Sequence, residues 1–303
     1  METLGALPLS LRQLQYVVAV ADAGSFRAAA RACAVSQPAL SMQLAELESA
    51  LGVRIFERTS RSVRVSSAGA PLVERARRVL REVGELQETA RAAHDPFARA
   101  LTLGVIPTIA PYVLSSLAPR VARAHPRLDL RFVEDKTARL VAAVHTGEQD
   151  GAIVALEASL GGLAAIPIAE DPFVFACAPS HPLATRAAPI TVDDVSATEL
   201  LLLDEGHCLR DQIVSFCQPR RASELPFRAT SLSTLVPMVA SGGRATLLPA
   251  ISVDVENRRG DLVVRDVEGG RLVRTLGIVH RTETASRVVF ERIAAHVRDA
   301  IAS

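Results

Sequence analysis

Cys208 and Cys217 stand nine positions apart in the stretch GHCLRDQIVSFC. The thiolate is the nucleophilic form of cysteine, and His207 and Arg210 beside Cys208 are cationic or hydrogen-bonding groups of the kind that favour it. Leu209, Ile213 and Phe216 recur at helical spacing, so the stretch between the two sulfurs reads as a helix. Nine rises of about 1.5 Å hold the two Cα atoms about 13 Å apart, whereas a disulfide needs about 4.4–6.8 Å. A bond between them requires that helix to unravel. Two readings stay open at this point. Oxidation of Cys208 to a sulfenic acid and its condensation with Cys217 would make a switch. Alternatively the two are unrelated packing residues, the commoner use of free cysteine. Cys33, on the apolar face of a short helix, and Cys177, within an apolar strand, read as buried packing residues. No Cys-x-x-Cys or histidine pair accompanies Cys208 and Cys217, so neither a metal nor a cofactor is expected. No phosphate-cradling glycine loop or hydrolytic serine motif occurs.

The surrounding chain must position these groups. A length of 303 residues predicts two domains, and a hydrophobic content of 49% supplies a core for each. With 34 basic against 33 acidic side chains the formal charge is +1, which excludes a uniformly basic coat and makes any nucleic-acid contact local. Four cysteines are too few for a disulfide framework. No run approaches the roughly 20 apolar residues of a membrane span, and METLGALPLSLRQL lacks signal-peptide order, so a cytoplasmic protein without a membrane partner is expected.

Ser10, Ser25 and Ser36 each precede a helical pattern, and Gly24 and Gly52 end the first and third. Three short helices in tight succession make a helix-turn-helix candidate. The third would present Ser36, Gln37, Pro38, Ser41 and Gln43 to base edges in a major groove. Residues 53–66 alternate as a hairpin whose turn, Thr59 to Ser62, sits among Arg54, Arg58, Arg61 and Arg64, a basic wing for phosphates. From Ala68 the period changes: Leu72, Ala76, Val79, Val83, Leu86, Ala90 and Ala93 form a heptad seam that wants a partner helix. Asp95 and Pro96 stop it. Beyond lie alternating strands and helices, LTLGVIP, LDLRFVED, DGAIVAL, FVFACAP, LLLLD, FRATS, ATLLP and LGIVHR being the strands. This texture predicts a mostly parallel sheet in two α/β units with a ligand cleft between them.

Residues 9–66, above all FRAAARACAVSQPALSMQLAELESALGVRIFERTSRSVRVSSAG, resemble the winged helix-turn-helix of LysR-type transcriptional regulators, and the resemblance continues to the end of the chain. It implies an α/β protein with an all-α N-terminal part. A DNA-binding domain over 1–66 would be followed by a dimerising linker helix over 67–95. A periplasmic-binding-protein-like effector domain would occupy 96–303, with subdomain I at about 99–170 plus 275–303 and subdomain II at about 171–274. Its implied partners are double-stranded DNA, RNA polymerase and further copies in a homodimer or homotetramer. Met42 departs from the polar or basic residue of many relatives and bears on base preference. The stretch LLLLDEGHCLRDQIVSFC, with FRATSLSTLVPMVASGG and ATLLPA, resembles the hydrogen-peroxide-sensing branch of the family. That resemblance implies a regulator, not an enzyme, in which Cys208 is the peroxidatic and Cys217 the resolving cysteine. It places Thr108, Thr137, His207, Asp211 and Arg274 around the peroxide. All but Asp211 also have a plainer use: Thr108 or Thr137 as a helix cap, His207 satisfying a backbone group, Arg274 pairing with a carboxylate. Two alternatives remain, a metabolite-responsive regulator of the same family with incidental cysteines and a thiol peroxidase.

Overall fold

The computed structural model describes residues 9–58, 63–92, 95–217, 229–268, 272–282, 284 and 286–302. The chain divides into two compact units, Met1–Ala90 and Arg91–Ser303.

In the first unit α1 (Leu11–Ala23), α2 (Phe26–Ala32) and α3 (Gln37–Leu51) begin behind Ser10, Ser25 and Ser36, as their sequence predicts. The Ser10 hydroxyl accepts from the Gln13 N–H while the Gln13 side chain accepts from the Ser10 N–H, a reciprocal cap contributing about 1 kcal/mol. Gly24 and Gly52 end α1 and α3 in the left-handed region, at φ 58° and 65°. Val17, Val20, Ala29, Leu40, Leu44 and Leu47 close the core. The hairpin pairs β1 (Phe56–Arg58) with β2 (Val63–Val65) in antiparallel register. Its turn, Arg61 included, lies outside the described residues. The Glu48 carboxylate accepts from the N–H groups of Ile55 and Phe56, tying α3 to this wing. Then α4 (Ala70–Ala92) begins. Its seam is not a single stripe: Ala76 is buried, with Val73, in the core of its own unit, whereas Val79 and Leu86 are 42% and 71% exposed. The first turns of α4 are consumed in covering the three-helix core, so only the later positions remain open. Ala93 lies outside the described residues.

The second unit runs β3 (Ala100–Val105), α5 (Ala110–Ala124), β4 (Asp129–Glu134), α6 (Thr137–Thr146), β5 (Gly151–Ala155) and β6 (Ala164–Cys177). It continues through β7 (Ile190–Thr191), α7 (Val192–Ala197), α8 (Cys208–Cys217), α9 (Leu232–Ser241), β8 (Ala245–Pro249), a 3-10 turn (Ala250–Ser252) and α10 (Val253–Glu256). It ends with β9 (Val263–Arg265), β10 (Val267–Glu268), β11 (Val273–His280) and α11 (Arg287–Ile301). The main sheet has the order β4-β3-β5-β11-β6-β8, with β9 also on β6.

This corrects the expectation of a mostly parallel sheet. Only β3 runs parallel to its neighbours β4 and β5; β11 is antiparallel to β5 and β6, and β6 to β8 and β9. The cause is β6, long enough at 14 residues to serve two cores. Ile168 belongs to one core, with β3, β5, α5 and α11, and Phe173 to Cys177 to the other, with α8, α9 and β8. LLLLD and FRATS contribute only single bridges, Leu200 to Ala245 and Leu203 to Ala229, and Phe227 and Arg228 lie outside the described residues. Among the described residues no helix is long and apolar enough to cross a membrane. Cys177 is fully buried, and burial pushes its thiol up against the opposing field of Arg265. Cys33 is only half-buried, because it caps the end of α2 rather than lying on its inner face.

Candidate functional site

Cys208 is the first residue of α8, where backbone N–H groups lack intrahelical partners. The turn into it is fixed by Gly206, whose φ of 84° suits glycine, and by the Lys136 ammonium donating to the Glu205 carbonyl at 2.8 Å. The sulfur is a free thiol, 9% exposed and packed with the first core, whereas Leu209 and Ile213 of the same helix pack in the second. Cys208 thus stands where the two cores meet. A cavity of about 700 Å³ opens there, lined by Thr137, Cys208, Asp211, Gln212 and Phe216 among others. The helix expected between the cysteines is present to Cys217, whose side chain lies outside the described residues.

Three polar atoms beside Cys208 in sequence or cavity are buried without a partner, Thr137 Oγ1, His207 Nε2 and Gln212 Oε1. Thr137 does not cap α6; that position is Lys136, which makes no side-chain cap bond. The His207 imidazole is held below its usual range first by burial, then by the Lys136 charge, with Asp204 opposing. His207 therefore acts as a neutral hydrogen-bonding group and not as a cation. The folded state binds fewer protons at His207 than the unfolded chain, so its contribution to stability is full above about pH 6.5 and falls as the pH drops below it. Replacing His207 with Gln should flatten the loss of stability on acidification from pH 7 to 5, read as the urea midpoint at each pH. An unchanged slope would contradict this assignment.

Arg274 and Thr108 are brought together, but not in the cavity wall. Arg274 is fully buried on β11 beside its register partner Asp171 on β6. Its Nε donates to Asp171 Oδ2 at 2.9 Å, Nη1 to the Thr108 hydroxyl at 2.8 Å and Nη2 to the Thr108 carbonyl at 2.9 Å. Asp171 Oδ1 accepts from the Ile251 N–H at 3.1 Å. Thr108 is not the cap of α5, which is Ile109. On α8, Arg210 reaches back to the Leu203 carbonyl at 3.4 Å.

In the first unit Ser36, Gln37 and Pro38 are exposed at the start of α3 and Ser41 and Gln43 are half-buried. The Ser36 hydroxyl caps the helix, Gln43 donates to Glu46 at 2.8 Å, and Met42 is 57% exposed between them. Arg58 ends β1, but its side chain lies outside the described residues, while Arg54 and Arg64 are exposed.

Residues 11–70 match the family described as bacterial regulatory helix-turn-helix protein, lysR family, and residues 94–302 match the LysR substrate binding domain. The chain belongs to the LysR family. Among LysR-family relatives, the DNA-binding transcriptional dual regulator OxyR of Escherichia coli K12 is 40% identical over 291 residues, 96% of this chain and 95% of that protein. The hydrogen peroxide-inducible genes activator of Dickeya chrysanthemi is likewise 40% identical, over 96% of this chain and 95% of its own length. A full-length OxyR variant from Pseudomonas aeruginosa superposes with a TM-score of 0.76 at 33% identity, covering 97% of this chain and 96% of that one. A hydrogen-peroxide-bound OxyR variant from Corynebacterium glutamicum gives 0.67 at 33% identity, covering 98% and 94%.

Of the site candidates in this LysR-family chain, Thr137, Cys208 and Asp211 share one cavity, His207 precedes it, and Thr108 and Arg274 form a separate buried cluster. Asp171, Lys136 and Gln212 escaped sequence reasoning. Asp171 lies 103 positions from Arg274 and Lys136 lies 69 from Glu205, so no local pattern links them. Gln212 is exceptional, since its place one turn after Cys208 on α8 could have flagged it.

Proposed function

We propose that this LysR-family chain is a DNA-binding transcriptional regulator that responds to hydrogen peroxide through Cys208. The observation that carries the reading is the buried free thiol at the start of α8 beside three unpartnered polar atoms, Thr137 Oγ1, His207 Nε2 and Gln212 Oε1, of which the first two belong to groups able to donate. The Cys208 thiolate attacks one peroxide oxygen; the O–O bond breaks, a sulfenic acid forms, and the departing hydroxide takes a proton to leave as water. The Cys217 thiolate then attacks the sulfenic sulfur, forming the disulfide and releasing the second oxygen as water once it is protonated. Thr137 and His207 donate to the charge that develops on the leaving oxygen, and Asp211 stands at the cavity edge. Arg274 has its Nε, Nη1 and Nη2 engaged, so it acts by holding Thr108. Because the Thr108 hydroxyl accepts from Nη1, its own proton is free to donate.

The output is DNA. Ser36, Gln37, Pro38, Ser41 and Gln43 read base edges while Arg58 and Arg61 hold phosphates. The chain acts in the cytoplasm as a homodimer or homotetramer and works through RNA polymerase. Exposed Val79 and Leu86 supply the partner seam. Val79→Glu combined with Leu86→Glu should weaken dimerisation at least tenfold in sedimentation, leaving the three-helix core folded. Unchanged association would assign dimerisation elsewhere. As a regulator it undergoes one oxidation followed by slow reduction, and not the repeated turnover of a thiol peroxidase.

The deciding experiment is footprinting of reduced and peroxide-treated protein on the DNA upstream of its own gene. A footprint that changes with oxidation supports the proposal, and an identical footprint in both states removes it. One observation favours a second reading: about 700 Å³ is far more room than hydrogen peroxide occupies and falls within the range of small-metabolite pockets. In that case induction would survive in Cys208→Ser.

A further inference from the structure

His125 and His296, 171 positions apart in the sequence, meet on the surface of the second unit with their Nε2 atoms 3.4 Å apart. His125 follows the last residue of α5 and His296 lies on α11. Both are half-buried, so solvent reaches them. Phe97 stacks on His125 with ring centroids 3.9 Å apart and planes 4° from parallel, which holds that imidazole in place. The two rings stand edge to face, at 70°.

A tetrahedral metal with Zn–N bonds of about 2.0–2.1 Å sets its two nitrogens about 3.3 Å apart. The observed separation matches that bite. From this geometry we propose that His125 Nε2 and His296 Nε2 form a bidentate site for a divalent transition-metal ion of the zinc, cobalt or nickel class, for which imidazole is a favoured ligand. Among the described residues no group of three or more His, Cys, Asp or Glu side chains is arranged to hold a metal, so water completes the coordination. In the metal-free pair one Nε2–H points at the other nitrogen. On binding, that proton moves to Nδ1 of the same ring, leaving both Nε2 lone pairs on the metal without a net change in protonation. Asp95, whose field acts on His125 opposite to that of Arg292, moderates the local positive charge. The ion would clasp the end of α5 to α11. At ten times its Kd it raises the folded-to-unfolded ratio of this unit about elevenfold.

The test is a Co²⁺ titration of the full, reduced chain and of three variants, His125→Gln, His296→Gln and the double variant Cys208→Ser/Cys217→Ser. One ion per wild-type chain, with affinity at least tenfold weaker in each histidine variant, unchanged in the cysteine variant and without a thiolate-to-cobalt absorption band, supports the site. Equal affinity in either histidine variant, or loss in the cysteine variant, overturns it. A second measurement needs no variant: paramagnetic Co²⁺ should broaden the imidazole resonances of His125 and His296 before those of the other five histidines. Earlier broadening elsewhere also overturns the proposal.

Discussion

Arg274→Met should lower the stability of the second unit by about 3–5 kcal/mol, the cost of leaving a buried charge without its partner. Arg274 is fully buried and Asp171 3% exposed, with the guanidinium over the Phe173 ring. Removing the cation strands the Asp171 carboxylate, and it strips the Thr108 hydroxyl and carbonyl of their donors. The loss spreads because Asp171 also holds the 3-10 turn through the Ile251 N–H. Arg274→Met combined with Asp171→Leu should recover much of the loss, since an apolar pair of similar volume needs no compensating charge. Guanidinium unfolding followed by circular dichroism, with hydrogen exchange to assign the change to β6 and β11, measures both. A single-variant loss below about 1 kcal/mol would show that water reaches the pair and screens it.

Cys208→Ser should abolish the response to peroxide completely, and Cys217→Ser should stop it at the sulfenic acid. The reason is geometric as well as chemical. While α8 stays intact from Cys208 to Cys217, the rise per residue holds their Cα atoms about 13 Å apart, beyond any disulfide. A bond between the two would therefore cost hydrogen bonds of α8, the helix that carries Leu209 and Ile213 into the second core. One equivalent of peroxide should give a Cys208–Cys217 disulfide by peptide mass spectrometry and faster hydrogen exchange across residues 208–217. Neither change should occur in Cys208→Ser. A disulfide formed with exchange in α8 unaltered would refute the coupling between the chemistry and the fold.

Local rules carried much of this in advance. Ser10, Ser25 and Ser36 open helices because a serine oxygen answers orphaned N–H groups within three residues, and Gly24 and Gly52 close them because each must turn left-handed. The α8 helix was legible for the same reason: its apolar period lies wholly within ten residues. Strand direction was not legible, since period-two alternation marks a strand without naming its neighbour, and β11 finds β5 and β6 more than a hundred positions away. LLLLD looked like a strand because it is apolar, yet burial alone satisfies such a run and it makes only single bridges. The roles of the cysteines rest on resemblance, because spacing alone favours packing, the commoner use of free cysteine.

What the sequence determined by itself is the three N-terminal helices with their serine caps, the helix from Cys208 to Cys217 and the conflict between an α-helix and a bond joining its ends. The tertiary structure alone decided that Arg274 answers Asp171 and Thr108, that Thr137 and His207 keep unpartnered atoms near Cys208, and that His125 meets His296. Helix signals act over three or four residues and are written in neighbouring letters. Charge pairing and side-chain convergence depend on which distant surfaces pack together, and that is settled only when the two cores close on the two halves of β6.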